Sequence, residues 1–269
     1  MKTATSTALT VAGFDPSGGA GLQADLKTFS AFGVSGKSVA TSITIQNTVD
    51  VETVHNISPE VVEQQLRVIL RDGKPGAVKT GMLGNELIVE TVVRILRRYR
   101  VKKIVVDPVI YSSSGKLLLS EPGIEVMKKE LLPVTFLLTP NLNETEILSG
   151  VKIRKPSDRI RAARVLMKMG AKNILIKGGH LKGEPQDFFF DGKRSLCLNA
   201  DRVTGGDVHG TGCTLASAIT AGLAKGKGIV TAVKEAKEFI GLAIMGAIKS
   251  GKGAPQVEPL TNLYQDSER

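Results

Sequence analysis

Tryptophan is absent from the 269 residues, and 8 Phe and 3 Tyr are all the aromatic rings there are. Cysteine is almost as scarce. Cys197 and Cys213 are too few for a disulfide framework and lack the spacing of zinc ligands, so a reducing, cytoplasmic setting is expected. No stretch approaches the ~18 consecutive apolar residues of a membrane span. Near the N-terminus, Asp15 interrupts the short apolar run from Ala8 to Phe14 and no small-residue cleavage site follows, so no signal peptide is expected. Repeats, low-complexity tracts and Pro/Ser-rich linkers are also missing. With 42% hydrophobic and 23% charged residues, disorder, collagen and coiled coil are excluded. One globular domain over residues 1–269 is the expectation.

Negative charge is in deficit: 36 Lys and Arg face 26 Asp and Glu, a net charge of +10. That balance suits polyanions, from nucleic acid to small nucleotides. The densest basic stretch is Arg94, Arg97, Arg98, Arg100, Lys102 and Lys103. Tyr99 alone interleaves with it, too little for a base-stacking platform, and cations at a helix C-terminus complement the dipole. It reads as a solvated helix end. A small-molecule polyanion is the expected partner, with neither nucleic acid nor membrane.

What the chain does have is alternation. Short β-rich runs (Leu9 to Gly13, Ser38 to Ile45, Ala77 to Thr80, Lys103 to Asp107, Thr135 to Thr139, Asn173 to Lys177) are interleaved with helical patterns. The helices are expected near 20–32, 59–71, 85–99, 121–130, 143–149, 157–169, 211–224 and 230–249. Ser58-Pro59-Glu60 is a cap residue before Pro at a first helical position, and Val61, Val62, Leu66, Ile69 and Leu70 follow with helical period. Ile104-Val105-Val106 is apolar on both faces, as in a central parallel strand. The fold class is therefore α/β, a mostly parallel central sheet with helices on both faces. Asp187 to Phe190 and Ser195 to Leu198, around Asp191-Gly192, read as an antiparallel hairpin near one edge.

Such sheets bind ligands beyond the carboxyl ends of their strands. The strand exits here are Gly13 to Gly19, Gln46-Asn47-Thr48, Lys79-Thr80-Gly81-Met82, Asp107-Pro108-Val109, Thr139-Pro140-Asn141 and Lys177-Gly178-Gly179. Gly33-Val34-Ser35-Gly36-Lys37-Ser38 is not a Walker A motif, because its glycines are too close and a strand follows it. Gly210-Thr211-Gly212-Cys213 opens a helix of small and apolar residues, where unpaired N–H groups and the dipole attract an anion. Cys213 is either a packed helix-end residue or a thiol whose pKa that field lowers. Asn141 and Glu144 read either as helix caps or, for the carboxylate, as a holder of Mg²⁺ through water. Asp107 carries the same two readings. Lys177 is either solvated or a point charge for a phosphate oxygen.

Taken in order, these segments resemble the hydroxymethylpyrimidine/phosphomethylpyrimidine kinases. The resemblance lies in Ala12 to Lys27, Gln46-Asn47-Thr48, Lys79 to Leu83, Leu138 to Leu142, Lys177 to His180 and His209 to Leu215. It spans about residues 7 to 250. It implies the ribokinase-like three-layer fold, ATP-dependent phosphorylation in thiamine biosynthesis, and a homodimer. By the same resemblance, Gly13, Asp25, Gln46, Met82 and Val109 form the pyrimidine pocket. Asp107 and Glu144 handle metal, Asn141 and Thr211 face the nucleotide, and Lys177, Gly210 and Gly212 hold the transferring phosphates. Cys213 occupies the place of the ribokinase-group catalytic Asp. The Cys-bearing branch also includes pyridoxal kinases, the alternative reading, and a binding protein without turnover is a third. Two departures stand out: Ser113-Ser114-Gly115 replaces a common Lys-Ser-Gly, with Lys116 next in line, and Gly206-Asp207-Val208-His209 replaces Lys-Asn-Thr-His.

Overall fold

The structure, a computed structural model, describes residues 6–178, 186–199 and 208–261. The Gly179-His180 pair and the Gly206-Asp207 departure lie outside the described residues. Nine strands among the described residues form one sheet in the order β3-β2-β1-β4-β5-β6-β7-β8-β9. They are β1 (Thr7–Phe14), β2 (Ser35–Gln46), β3 (Val51–Asn56), β4 (Ala77–Thr80), β5 (Ile104–Val106), β6 (Leu137–Leu138), β7 (Ile174–Ile176), β8 (Gln186–Phe190) and β9 (Ser195–Asn199). From β2 across to β7 all neighbours are parallel, while β3 and β8 run antiparallel to the strands they join. The expected terminal hairpin is β8–β9, with Phe190 opposite Ser195.

Side-chain alternation sorts the core into two layers. Leu9, Val11, Val78, Ile104, Val106, Leu138, Ile174 and Ile176 point to one face. There they meet helices α2 (Pro59–Asp72), α3 (Glu86–Arg98), α4 (Glu121–Val126), α5 (Leu142–Ser149) and α6 (Pro156–Lys168). Ala8, Ala77, Val105, Leu137 and Leu175 point the other way, to α1 (Gly21–Ala31), α7 (Thr211–Ala224) and α8 (Ile229–Met245). Period-two strands between two helical layers are what each strand's sequence demands. The helix starts follow their cap residues: Ser58 and Asn85 accept from the backbone of Val61 and Ile88. No helix among the described residues is long and apolar enough to cross a membrane.

Three elements depart from the sequence expectations. β3 went unanticipated: only Val51 of its six residues is buried, so no alternation marks it, and it is held by pairing to β2. The helix expected over 121–130 widens after Val126 into a π-helical turn, Met127–Leu131, then a 3-10 turn, Leu132–Val134. Pro133 lacks the N–H that would continue the helix. The last helix stops at Met245 rather than 249, where Gly246 terminates it.

The chain leaves β1 toward β2 on one side and returns to β4 on the other. In doubly wound sheets ligands bind where the order reverses, which here is beyond the carboxyl ends of β1 and its neighbours β2 and β4. The site is built there.

Candidate active site

Helix α7 begins at a turn that only glycine accommodates. Gly210 has φ of 88°, and an added Cβ would overlap the carbonyl oxygen of Gly19. Among the described residues the helix has no side-chain cap and no partner for its first N–H groups, which lie beside the positive end of the dipole. Thr211, the first helical residue, donates its hydroxyl back to Val208 O at 2.8 Å. A Cβ on Gly212 would lie 3.1 Å from Lys177 Nζ and 3.8 Å from Asp107 Oδ2. The bare backbone of this turn thus faces a cation and a carboxylate. It forms a cradle for an oxyanion.

Three strand exits converge on it. Lys177, just beyond β7, donates to Asp107 Oδ1 at 2.7 Å, and Asp107 sits at the end of β5. Burial lowers the affinity of Lys177 for its proton, but Asp107 and Glu144 outweigh that and hold it charged. Glu144 is the helix cap of the first reading. It forms a reciprocal capping box, with Asn141 N–H donating to Oε2 and Asn141 Oδ1 accepting from Glu144 N–H, each at 2.8 Å. It also accepts from Ile110 N–H at 3.2 Å. Burial pushes its carboxyl above the usual range, Lys177 pulls it back and Asp107 adds to the rise. No group of three or more His, Cys, Asp or Glu able to hold a metal occurs among the described residues. Two carboxylates with spare lone pairs do fit a hydrated Mg²⁺, which keeps several waters.

Of the residues expected in the pyrimidine pocket, Gly13, Gln46, Met82 and Val109 lie at the exits of β1, β2, β4 and β5. A Cβ on Gly13 would stand 2.8 Å from Ser42 Oγ and 3.1 Å from Met82 Sδ, so the three strands meet there with no room to spare. One on Gly21 would overlap Gly13 O, which lets α1 start tight against β1. Gln46 ends β2 at a bulge, half-buried, while Thr44 Oγ1 ties that strand to Phe14 O at 2.9 Å. Val109 lies at the neighbouring exit of β5. Its φ of 45° is strained for a β-branched residue, and the Glu144 bond to Ile110 helps hold it. The Asp15 carboxylate gathers the glycine-rich loop after β1. It accepts from Ser17 N–H, Ser17 Oγ and Ala20 N–H at 2.7–2.8 Å, with His209 Nε2 3.7 Å away. Burial raises its pKa, but these donors outweigh it and bring the group to about 2.

The sequence model of the family described as "Phosphomethylpyrimidine kinase" matches residues 15–258. The chain belongs to the phosphomethylpyrimidine kinase family. A hydroxymethylpyrimidine/phosphomethylpyrimidine kinase of Aquifex aeolicus is 44% identical over 91% of this chain and 97% of its own length. The crystal structure of the Clostridium difficile phosphomethylpyrimidine kinase superimposes with a TM-score of 0.81 at 40% identity, covering 89% of this chain and all of that one. The Staphylococcus aureus pyridoxal kinase, in complex with AMP-PCP and pyridoxal, gives a TM-score of 0.89 at 36% identity, covering 97% and 95%. The ribokinase-like three-layer architecture expected from the resemblance is the fold observed.

Within this kinase, the geometry revises several expectations. Asp25, expected in the pyrimidine pocket, is 0% exposed and lies under the site, its oxygens occupied by Thr10, Lys79 and Ser217. Cys213 sits at the helix mouth, but burial dominates the helix field and pushes its thiol up to about 11. The nearby Lys79 ammonium opposes that rise without cancelling it. Lys116, next in line after Ser113-Ser114-Gly115, donates to the carbonyls of Val51 and Glu52 on β3. It therefore pins the segment 112–116 to β3, together with Ser114 donating to Asp50 at 2.8 Å. One contributor carried no signal in the sequence: Gln256 donates to Ser17 Oγ at 3.0 Å from a distant C-terminal loop. Ser113, at the first departure, approaches His209 Nδ1 at 3.4 Å.

Proposed function

We propose that this kinase phosphorylates the hydroxymethyl group of 4-amino-5-hydroxymethyl-2-methylpyrimidine and then the resulting monophosphate, with MgATP, in thiamine biosynthesis. The observation that supports the reading is the cradle at the start of α7, where the bare turn at Gly212 faces Lys177 and Asp107. Met82, packed against Gly13 and Ser42, and Val109 are the proposed walls of an adjoining pyrimidine slot, with the Gln46 amide proposed at its rim. Met82 and Val109 sandwich the flat ring, and Gln46 donates to and accepts from the aminopyrimidine edge.

In the first step the substrate hydroxyl oxygen bonds to the γ-phosphorus. The bond from that phosphorus to the β–γ bridging oxygen breaks, and its electron pair leaves with ADP. The hydroxyl proton passes to the Cys213 sulfur in its thiolate form and on to water. The free N–H groups of Gly212 and Cys213 at the start of α7 stabilise the charge on the transferring group, and Lys177 adds a fixed cation. Asn141 and Thr211 flank the nucleotide side of the cradle. Asp107 and Glu144 hold the Mg²⁺, which supplies charge neutralisation on the phosphates when bound. Positioning and electrostatics carry most of the catalysis, as phosphoryl transfer allows.

The working enzyme is proposed to be a cytoplasmic homodimer. Phe14, Ile43 and Ile45 support an interface, since all three are at least 40% exposed toward the C-terminal ends of β1 and β2. The TM-score of 0.89 to a pyridoxal kinase favours a second reading, pyridoxal phosphorylation in the same slot. A coupled ADP-release assay with hydroxymethylpyrimidine, its monophosphate and pyridoxal separates the two. Turnover of both pyrimidines with slower pyridoxal turnover is the expected result. Turnover of pyridoxal alone overturns the proposal, and pyrimidine binding without ADP release makes the protein a carrier.

A further inference from the structure

Under the cradle lies a charged pair to which the reaction above gives no task. Asp25 of α1 and Lys79 of β4 have side chains 0% exposed. Lys79 Nζ donates to both carboxylate oxygens, at 2.7 and 2.8 Å. Thr10 of β1 donates to Oδ2 at 2.5 Å and Ser217 of α7 to Oδ1 at 2.6 Å. Taking two such charges from water costs several kcal/mol each, and well-packed apolar residues of similar volume commonly give a more stable core. A dry ion pair beneath an active site therefore calls for a reason other than stability.

Its surroundings supply one. Ser217 lies one helical turn beyond Cys213, on the same face of α7. Gly21 N–H, at the start of α1, donates to the Cys213 sulfur. A Cβ on Gly81, just past β4, would stand 3.1 Å from Lys79 Nζ. Cys213, Asp25 and Lys79 thus share one wedge between α1, α7 and β4. The charged groups acting on the thiol are Lys79 from β4, Asp25 from α1 and Asp107 from the end of β5, with Lys177 beyond β7. Lys177 is held by Asp107, whereas the Asp25 charge is drawn off by two hydroxyl donors as well as by Lys79. The Lys79 ammonium is left with the larger influence on the sulfur.

We propose that Lys79 is a positioning residue whose ammonium, gripped by Asp25, is the fixed countercharge of the Cys213 thiolate. The proposal rests on the reading of Cys213 as proton acceptor. It assigns Thr10, Asp25 and Ser217 the task of holding that cation in place.

The test is iodoacetamide labelling of the full-length protein at about pH 8, read by mass spectrometry at Cys213 against the exposed Cys197 as internal reference. Asp25→Asn/Lys79→Met removes both charges together, so no unpaired buried charge remains. In this variant Cys213 labelling is expected to slow about tenfold or more relative to Cys197, with kcat for the hydroxymethyl substrate falling alongside and its KM unchanged. A folded double variant that labels at the wild-type ratio overturns the proposal. Ser217→Ala removes one donor from Asp25 and serves if the double variant does not fold; a labelling rate about two- to threefold lower is expected, and the wild-type ratio again overturns it. Cys213→Ser with full turnover would remove the proton-acceptor reading by itself, because the labelling comparison does not depend on turnover.

Discussion

Replacing Cys213 by Ser separates the two phosphorylations this kinase is proposed to perform. The buried thiol has its pKa pushed to about 11. At about pH 7.5 the thiolate therefore costs about 5 kcal/mol to form, at ~1.4 kcal/mol per unit. As pH rises toward the thiol's own pKa, the ionised fraction grows, so wild-type kcat for the hydroxymethyl substrate should climb about tenfold per pH unit between roughly 7 and 10. Serine keeps the volume and hydrogen bonding but does not ionise in this range. Cys213→Ser should lose about 10²-fold or more in kcat for the first step, and its pH profile should be flat. The second step differs, because a phosphate monoester, with a pKa of about 6, is already ionised and brings no proton to remove. There the same variant should lose less than about tenfold. Cys213→Asp should recover part of the first step and flatten its profile, since a carboxylate is ionised throughout. Single-turnover assays with each substrate across the pH range measure all of this. Equal losses in both steps, or a flat wild-type profile, would refute the reasoning and return Cys213 to a packing role.

Gln46→Leu should raise the pyrimidine KM about 10- to 100-fold with the ATP KM nearly unchanged, because an unpaired polar ring edge costs about 1–3 kcal/mol; unaltered pyrimidine KM removes Gln46 from the slot. Gly212→Ala should leave the fold intact, as its Cβ meets the end of the Lys177 side chain at 3.1 Å and Asp107 Oδ2 at 3.8 Å and no backbone atom, yet fill the oxyanion cradle. ATP KM should rise with the melting temperature within a few degrees of wild type, and normal ATP kinetics would place the phosphates elsewhere. Glu144→Gln turns an amide NH₂ toward one of the two backbone N–H donors at Asn141 and Ile110, so it should lower both melting temperature and Mg²⁺-dependent kcat. A stability loss with unchanged Mg²⁺ dependence leaves Glu144 as a cap alone.

Much of the architecture was written locally. Alternating apolar residues in Ile174-Leu175-Ile176 meet helical layers on both sides, and Ser58-Pro59 and Asn85 mark helix starts without help from distant parts of the chain. Glycine spacing at Gly210 and Gly212 marked the cradle, because conformations with positive φ and bare helix N-termini are properties of a few consecutive residues. Tertiary structure decided the rest. β3 has no buried stripe of its own and exists as a partner of β2. Whether Asp25 touches a ligand or an ammonium depends on Lys79, Thr10 and Ser217, which come from three other elements. The proton on Cys213 depends on how completely α1, α7 and the sheet remove it from water, and the free energy of a buried charge depends on that desolvation more than on local sequence. Lys116 looked like a phosphate ligand by its place in the chain, yet two β3 carbonyls hold it. Periodicity tells a residue which face it occupies, but only the packed neighbours set the charge state and partners it has there.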